Sequence, residues 1–152
     1  MFKKSIVLMA ASTVIFSSAA LASDDGDDRK ENGSRDGATV YEQSCAVCHS
    51  NNSIKSALQF GNRDDWEELI EEGQQFPVAH GWVGTRQMPP KGGDPEITLD
   101  EFINAVAYIG NSVGAGWKDA ENMDEDMYKE ILKEIQIRYQ RNELYDKIGK
   151  KY

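Results

Sequence analysis

The pattern of apolar and polar positions along the chain predicts helices, and no stretch alternates as a half-buried strand would. A first short helix is predicted within residues 38–49. A second spans residues 64–73, where Trp66, Leu69 and Ile70 share one face. Acidic residues crowd its first turn, which the helix dipole favours. Together these two segments predict short helices with one inward face each.

The third predicted helix has the clearest start signal. Thr98 and, three residues later, Glu101 match a capping box, in which each side chain binds the other residue's backbone N–H. Phe102, Val106 and Ile109 then follow on one face. Gly110 is predicted to close this helix.

A fourth, long helix is predicted over about residues 119–148. Acidic residues dominate its first half and lysines gather at its end, as the helix dipole favours. Its apolar stripe at helical spacing consists of Met123, Met127, Ile131, Leu132, Ile135 and Tyr139. The stripe could pack back on the rest of the chain or bind a partner, and the sequence favours neither.

Residues 74–95, between the second and third helices, are predicted to be one long irregular loop. The segment holds Pro77, Pro89, Pro90 and Pro95 and is rich in glycine. Irregular stretches of this length in compact domains usually serve function.

The chain opens with a pattern typical of a secretory signal. Lys3 and Lys4 precede an apolar run at residues 6–16, and Ala22 ends an Ala-x-Ala cleavage site. Residues 1–22 are therefore predicted to be a signal peptide that is cleaved after Ala22. The apolar run is too short to span a bilayer, so we expect an exported protein with no membrane span after cleavage, located in the periplasm.

Residues 23–37 contain acids, bases, serine and glycine but no apolar side chain, which predicts a disordered acidic leader. The 152-residue chain has a formal charge of −9, and loss of Lys3 and Lys4 with the signal would make it −11. Nucleic acid is thereby disfavoured as a partner. Protein partners are expected to present basic docking surfaces.

The strongest chemical motif is Cys45-Ala46-Val47-Cys48-His49. A Cys-x-x-Cys-His run is typical of covalent haem c attachment, with both thiols bonded to the porphyrin and the histidine bound to the iron. A redox dithiol or half of a zinc site are the alternatives. The first lacks a βαβ setting, and the second lacks ligands, because His80 is the only other histidine.

Met88 is the favoured second ligand of the iron. Met1 and Met9 belong to the predicted signal, and Met123 and Met127 to the last helix. Pro89 biases Met88 toward an extended backbone, and a thioether suits electron transfer because it raises the haem potential. His80 remains a rival, since a bis-histidine iron would leave Met88 as a packing residue.

With these motifs in place, the chain resembles the class I cytochromes c, and within them the short bacterial c-five type. The resemblance rests on residues 37–49, on Met88-Pro89-Pro90-Lys91-Gly92-Gly93 and on residues 99–109. It implies an all-α fold with three to four short helices around one covalently attached haem. It also implies Cys45 and Cys48 as thioether anchors, His49 and Met88 as iron ligands, and a helix crossing near Gly37, Tyr41 and Tyr108.

This interpretation predicts a cytochrome c domain at residues 38–114 and a charged, helical C-terminal extension at 115–152, which lies outside the family pattern. The expected function is one-electron transfer between redox proteins, without catalysis of its own. One alternative is a dedicated subunit of an oxidoreductase complex, docked through the last helix, or a homodimer formed through residues 119–148. A haem-based sensor or peroxidase is the other alternative.

Overall fold

The structure, a computed structural model, describes residues 34–50 and 54–147. Within these ranges the α-helices are α1 (Gly37–Val40), α2 (Ala46–His49), α3 (Arg63–Glu72), α4 (Gln75–Val83), α5 (Leu99–Asn111) and α6 (Glu125–Lys147). A π-helical turn at Tyr41–Cys45 joins α1 to α2, and Pro90–Gly93 form a 3₁₀ turn. The described residues contain no strand beyond one antiparallel bridge between Thr85 and Met88. The predicted all-α fold is confirmed.

The start of α1 packs directly on the backbone of α5. A Cβ atom on Gly37 would collide with the carbonyl oxygen of Asn104 and lie 2.8 Å from the Cβ of Tyr108. Glycine therefore allows the two helices to approach this closely. Tyr41 follows, with its ring centroid 4.7 Å from that of Phe60 and 5.6 Å from that of Tyr108. The helix crossing implied by the family resemblance is thus present.

Replacing Gly37 with alanine is expected to lower the free energy of unfolding by about 1–3 kcal/mol, the usual cost of overpacking. The obstacle is a backbone carbonyl, which cannot rotate away as a side chain can. Urea unfolding would measure the loss, with Thr39→Ala on the same helix as the control. An unchanged unfolding midpoint for the Gly37 variant would show that the two helices can separate without cost.

The predicted loop over residues 74–95 is wrong in its first half, where α4 forms. Pro77 lies in the first turn of α4, where a missing N–H breaks no helical hydrogen bond. Most side chains of α4 are apolar, and the helix packs against both α5 and α6. A helix covered on several sides has no polar face, so its period cannot be read from the sequence. Gly84, with φ at 89°, ends it.

The second and third predicted helices are confirmed as α3 and α5, with small shifts of their ends. In the capping box the Thr98 hydroxyl accepts from the Glu101 N–H, and the Glu101 carboxylate accepts from the Thr98 N–H at 3.1 Å. The helix α5 continues to Asn111 instead of closing at Gly110. The ring of Trp117 lies directly against Gly110, so this glycine serves close packing rather than helix termination.

The C-terminal extension packs back on the helices that precede it. Trp117, Ala120, Met123, Ile131 and Ile135 are buried in the same core as the helices before them. The helix α6 begins at Glu125, later than predicted, and the Asp124 carboxylate accepts from the Met127 N–H at its start. Of the two alternatives for the apolar stripe, internal packing is therefore observed for its buried members. Leu132 and Tyr139 remain exposed.

The predicted disordered leader extends too far toward the domain. Residues 34–37 are ordered against α5, because Arg35 forms an ion pair with Glu101 and Asp36 caps α1. The boundary predicted at Ala38 therefore lies too late in the chain. The predicted signal peptide and the rest of the leader lie outside the described residues. No helix within the described residues is long and apolar enough to cross a membrane.

Candidate haem site

Both cysteines lie at the junction of the π-helical turn and α2. The π-helical turn ends at Cys45, and the backbone N–H of Ala46 donates to the Tyr41 carbonyl across a ring one residue wider than in an α-helix. Cys48 follows within α2, and neither cysteine forms a disulfide. Both side chains are half-buried, while Val47 between them is 74% exposed. The motif thus lies at the surface of the core, with its thiols turned partly inward.

The electrostatics of Cys45 argue against a redox dithiol. Burial raises the pKa of its thiol to about 11, and the nearby Asp94 and Cys48 add to the rise. Dithiols of thioredoxin type have a reactive cysteine with a lowered pKa. Among the described residues no group of three potential ligands (His, Cys, Asp or Glu) comes together to hold a metal ion. Neither alternative interpretation of the motif finds support in this geometry.

The Nδ1 of His49 is fixed by a hydrogen bond, and no residue in the part of the chain that the structure describes binds its Nε2. Its Nδ1 lies 2.7 Å from the Leu58 carbonyl oxygen, which can only accept, so Nδ1 is the donor. The neutral imidazole then has its lone pair on Nε2, the form that binds a metal. The His49 carbonyl in turn accepts from the Phe60 N–H at 2.7 Å. Residues 58–60 therefore set both the tautomer and the orientation of this histidine.

Met88 lies in a tight turn, not in a helix. Met88 and Thr85 exchange backbone hydrogen bonds of 2.9 and 3.1 Å, which closes the turn. Pro89 follows with an extended backbone and leads into the 3₁₀ turn. The side chain is half-buried and packs against the core. The expectation that Pro89 keeps Met88 out of a helix is thus met.

The helix α4 supports this turn along its last residues. A Cβ atom on Gly81 would lie 2.9 Å from the terminal methyl carbon of Met88, so the methionine packs on helix backbone. The ammonium of Lys91 lies 4.8 Å from the ring centroid of Trp82, within the range of a cation–π contact. Gly84 lies against Pro90 at the end of the helix. The Met88 turn is therefore held at three points by one helix.

Two hydrogen bonds join the cysteine–histidine segment to the Met88 loop. The Ser44 hydroxyl donates to the Asp94 carboxylate at 3.1 Å, and Ser56 donates to the Gln87 side-chain oxygen at 3.1 Å. Ser44 precedes Cys45, and Gln87 precedes Met88. Residues that flank the Cys-x-x-Cys-His motif are thus joined to residues that flank Met88.

His80 has a different environment. Burial lowers its pKa to about 4, and Arg138, Arg141 and Arg86 lower the pKa further. Two of these arginines belong to α6, so the imidazole lies close to the interface between α4 and α6. Trp66 on α3 donates its indole N–H to the Gln59 carbonyl at 2.9 Å.

Comparison with known proteins decides the family. The model of the family described as "Cytochrome C oxidase, cbb3-type, subunit III" matches residues 32–109, about half of the chain. Cytochrome c-555 of Chlorobaculum thiosulfatiphilum is 38% identical over 77 residues, which cover 48% of this chain and 88% of that protein. This chain belongs to the class I cytochromes c. Cytochrome c-555 of Chlorobaculum tepidum is 35% identical over 77 residues, covering 48% of this chain and 70% of the relative.

One solved structure is also similar to this cytochrome c. It is described as "Crystal structure of electron transfer complex of nitrite reductase with cytochrome c". The likeness covers 51% of this chain and 93% of that chain, with a TM-score of 0.48 and 27% identity.

As a class I cytochrome c the chain carries one covalently bound haem c, an iron-binding group that serves electron transport. The residues present fit that group. Two unpaired thiols lie three residues apart, and an imidazole with a fixed Nδ1 follows them. Half-buried apolar side chains packed against the core include Leu58, Phe60, Trp82 and Met88. The thiols suit bonding to the porphyrin. An imidazole nitrogen and a soft thioether sulfur beside apolar walls suit the haem iron.

Some residues that shape this site were not predicted from the sequence of the cytochrome. The Leu58 carbonyl is a backbone group and leaves no signal in a sequence. Asp94 and Ser44 lie in stretches of sequence that are ordinary for a turn and for an exposed surface, so nothing marks them as part of a site. Gly81, an isolated glycine between the apolar residues of α4, is a signal that could have been used, because such a glycine often marks a close contact.

Proposed function

We propose that this cytochrome c is a periplasmic one-electron carrier between redox proteins. The observation that carries the proposal is that the Nδ1 of His49 is fixed, with no described residue bound to Nε2, while Ser44–Asp94 and Ser56–Gln87 link residues near His49 to residues near Met88. A carrier needs its ligands fixed in both oxidation states, since every ligand movement slows electron transfer. The hydrogen bonds that anchor His49 and the Met88 turn support this role over catalysis at the iron.

Residue by residue, Cys45 and Cys48 would form the two thioether bonds, and His49 would bind the iron through Nε2. Met88 would supply the second iron ligand through its sulfur. The haem supplies the one-electron chemistry, with iron cycling between the ferrous and ferric states. The polypeptide contributes orientation, burial and a thioether that raises the potential. Its extended turn makes Met88 a better candidate for this position than His80, a half-buried residue of α4 whose pKa is lowered by burial and by the charges of Arg138 and Arg141 on α6.

The periplasmic location rests on the predicted signal at residues 1–22, with cleavage after Ala22. Covalent haem attachment at a Cys-x-x-Cys-His motif fits export. The acidic charge of the chain supports partners with basic docking surfaces and transient, salt-sensitive association. Such encounters bury small areas.

A second candidate function is that of a dedicated subunit, bound through α6 to an oxidoreductase or to another copy of the chain. The observation that favours it is the exposure of four apolar side chains on this helix. They are Leu132, Ile137, Tyr139 and Leu144. Measuring the mass of the full-length holoprotein in solution, alone and with a redox partner, would separate a monomeric carrier from a stable subunit.

The haem attachment is tested on the purified holoprotein by the pyridine haemochrome spectrum. We expect a haem c spectrum and haem that stays with the denatured polypeptide. Cys45→Ala and Cys48→Ala are each expected to leave one thioether bond, with a shifted spectrum, and the double variant none. Val47→Ala, between the cysteines, is the control and should change neither property. Covalent haem in the double variant would overturn the assignment.

A further inference from the structure

The helix α6 lies beyond the part of the chain that the family model matches, which ends at residue 109. It nevertheless packs along α4, the helix that supports Met88. Ile131 is completely buried and Ile135 is 8% exposed, and both share the core with Val78 and Ala79 of α4. Removing α6 would therefore uncover a helix that has no polar face of its own.

The segment that leads into α6 is fastened to the first turn of α4. Gln74 is buried, and its side-chain amide donates to the Lys118 carbonyl at 2.6 Å. The Lys118 N–H donates back to the Gln74 side-chain oxygen at 2.9 Å. This pair of bonds fixes the start of α4 against the extension. Beyond Gln74, the buried side chains of Ile131 and Ile135 cover α4.

The far end of α4 contacts the proposed ligand. The methyl group of Met88 packs on Gly81, and the ring of Phe102 packs on the same glycine. Trp82 and Gly84 contact the residues that follow Met88. A displacement of α4 would therefore move the surface on which the methionine rests. The helix connects the extension on one side to the methionine on the other.

We infer that α6 is a positioning element for the haem ligand: by pressing α4 against the Met88 turn, it keeps the methionine sulfur at the iron. The inference rests on the proposed ligation by Met88. In this view the extension slows the departure of Met88 and excludes external ligands, which gives a carrier resistance to side reactions. Residues of α6 act through α4 and do not touch the haem.

The test is displacement of Met88 by imidazole in the ferric holoprotein, followed by loss of the absorption band at about 695 nm that reports iron–methionine bonding. Ile131→Ala is expected to raise the apparent imidazole affinity about tenfold, which corresponds to 1.4 kcal/mol. Leu132→Ala is the matched control, because Leu132 is the next residue of α6 and is 44% exposed. It should change the affinity less than twofold.

A general loss of stability must be distinguished from loss of positioning. Val40→Ala also removes a completely buried apolar group, but from α1, on the side of the cysteine motif. If this variant raises the imidazole affinity as much as Ile131→Ala does, the effect is not specific to α6 and the inference fails. Should Ile131→Ala not fold, Ile131→Val replaces it, with a smaller rise in the same direction expected.

The inference and the proposed ligation can fail separately. If the unmodified ferric protein shows no band at about 695 nm, ligation by Met88 is wrong and the inference falls with it. If the band is present but Ile131→Ala and Leu132→Ala bind imidazole equally, ligation stands and only the role of α6 is refuted.

Discussion

Replacing Met88 with alanine is expected to abolish the ferric absorption band at about 695 nm and to lower the haem potential by on the order of 0.1–0.3 V. The shift is part of the roughly 0.8 V that axial ligands span in haem proteins. A thioether stabilises the ferrous state, so its loss favours the ferric state and reduces the driving force for accepting an electron. Optical spectra during a potentiometric titration would record both changes in one experiment.

The rival ligand provides the control. His80→Ala should leave the band and the potential nearly unchanged, because Met88 is the proposed ligand and His80 is a half-buried residue near the charges of Arg138 and Arg141 on α6. Met127→Leu should also leave the band and the potential nearly unchanged, since Met127 lies on α6, outside the Met88 turn. A band that survives in the Met88 variant but vanishes in the His80 variant would reverse the two assignments.

The same Met88 variant addresses the sensor and peroxidase alternatives. Those functions need an open position on the iron, so the unmodified protein would bind carbon monoxide or cyanide readily. We expect ready binding only after Met88→Ala, because the turn is closed by the Thr85 pairing and supported on α4. Equal binding by both proteins would favour a sensor or a peroxidase over a carrier.

Features that depend only on residues close together in the chain were predictable from the sequence. The thiols and the imidazole of the Cys-x-x-Cys-His motif occur within five residues, and the Thr98–Glu101 capping box within four. Such signals depend on local geometry alone. Met88 was selected as a candidate ligand because few methionines compete with it and a proline follows it, and its ligation stays a prediction.

Features that depend on distant partners were missed for a physical reason. The helix α4 is stabilised by burial between α5 and α6, so its own sequence reads as a proline- and glycine-containing loop. Arg35 belongs to a segment of leader composition and is ordered by a residue 66 positions away. Packing of this kind overrides local propensity, and no local pattern announces it.

Loss of the Arg35–Glu101 ion pair is expected to cost about 2–3 kcal/mol of unfolding free energy at neutral pH. The guanidinium binds both carboxylate oxygens, with Nε–Oε1 at 2.8 Å and Nη2–Oε2 at 3.0 Å. Glu101 is only 8% exposed, so removing Arg35 leaves a buried charge without its partner. Urea unfolding of the Arg35→Gln variant measures this cost. A shortened chain that starts at Ala38 lacks this arginine and should lose the same stability.

The pH dependence gives an independent measure of the same pair. The hydrogen bonds from Arg35 lower the pKa of Glu101 from 4.5 to about 2, against the opposing effect of burial. A lowered carboxyl pKa contributes stability that is fully present above about pH 4.5 and is lost as the pH falls toward about 2. The difference in stability between the unmodified protein and Glu101→Gln should therefore be constant above pH 4.5 and shrink below it.

A double-mutant cycle separates the pair from its surroundings, because Glu101→Gln keeps an oxygen that can accept from the Thr98 N–H. We expect Arg35→Gln to cost less in the Glu101→Gln background than alone, since no unpaired carboxylate then remains buried. Glu125→Gln, which breaks the exposed pair with Lys129 on α6, is the comparison and should change stability little. If Arg35→Gln costs the same in both backgrounds, Arg35 acts through its contacts with Gln43 and Asp94, and Ser34–Gly37 are held to the domain by those residues instead.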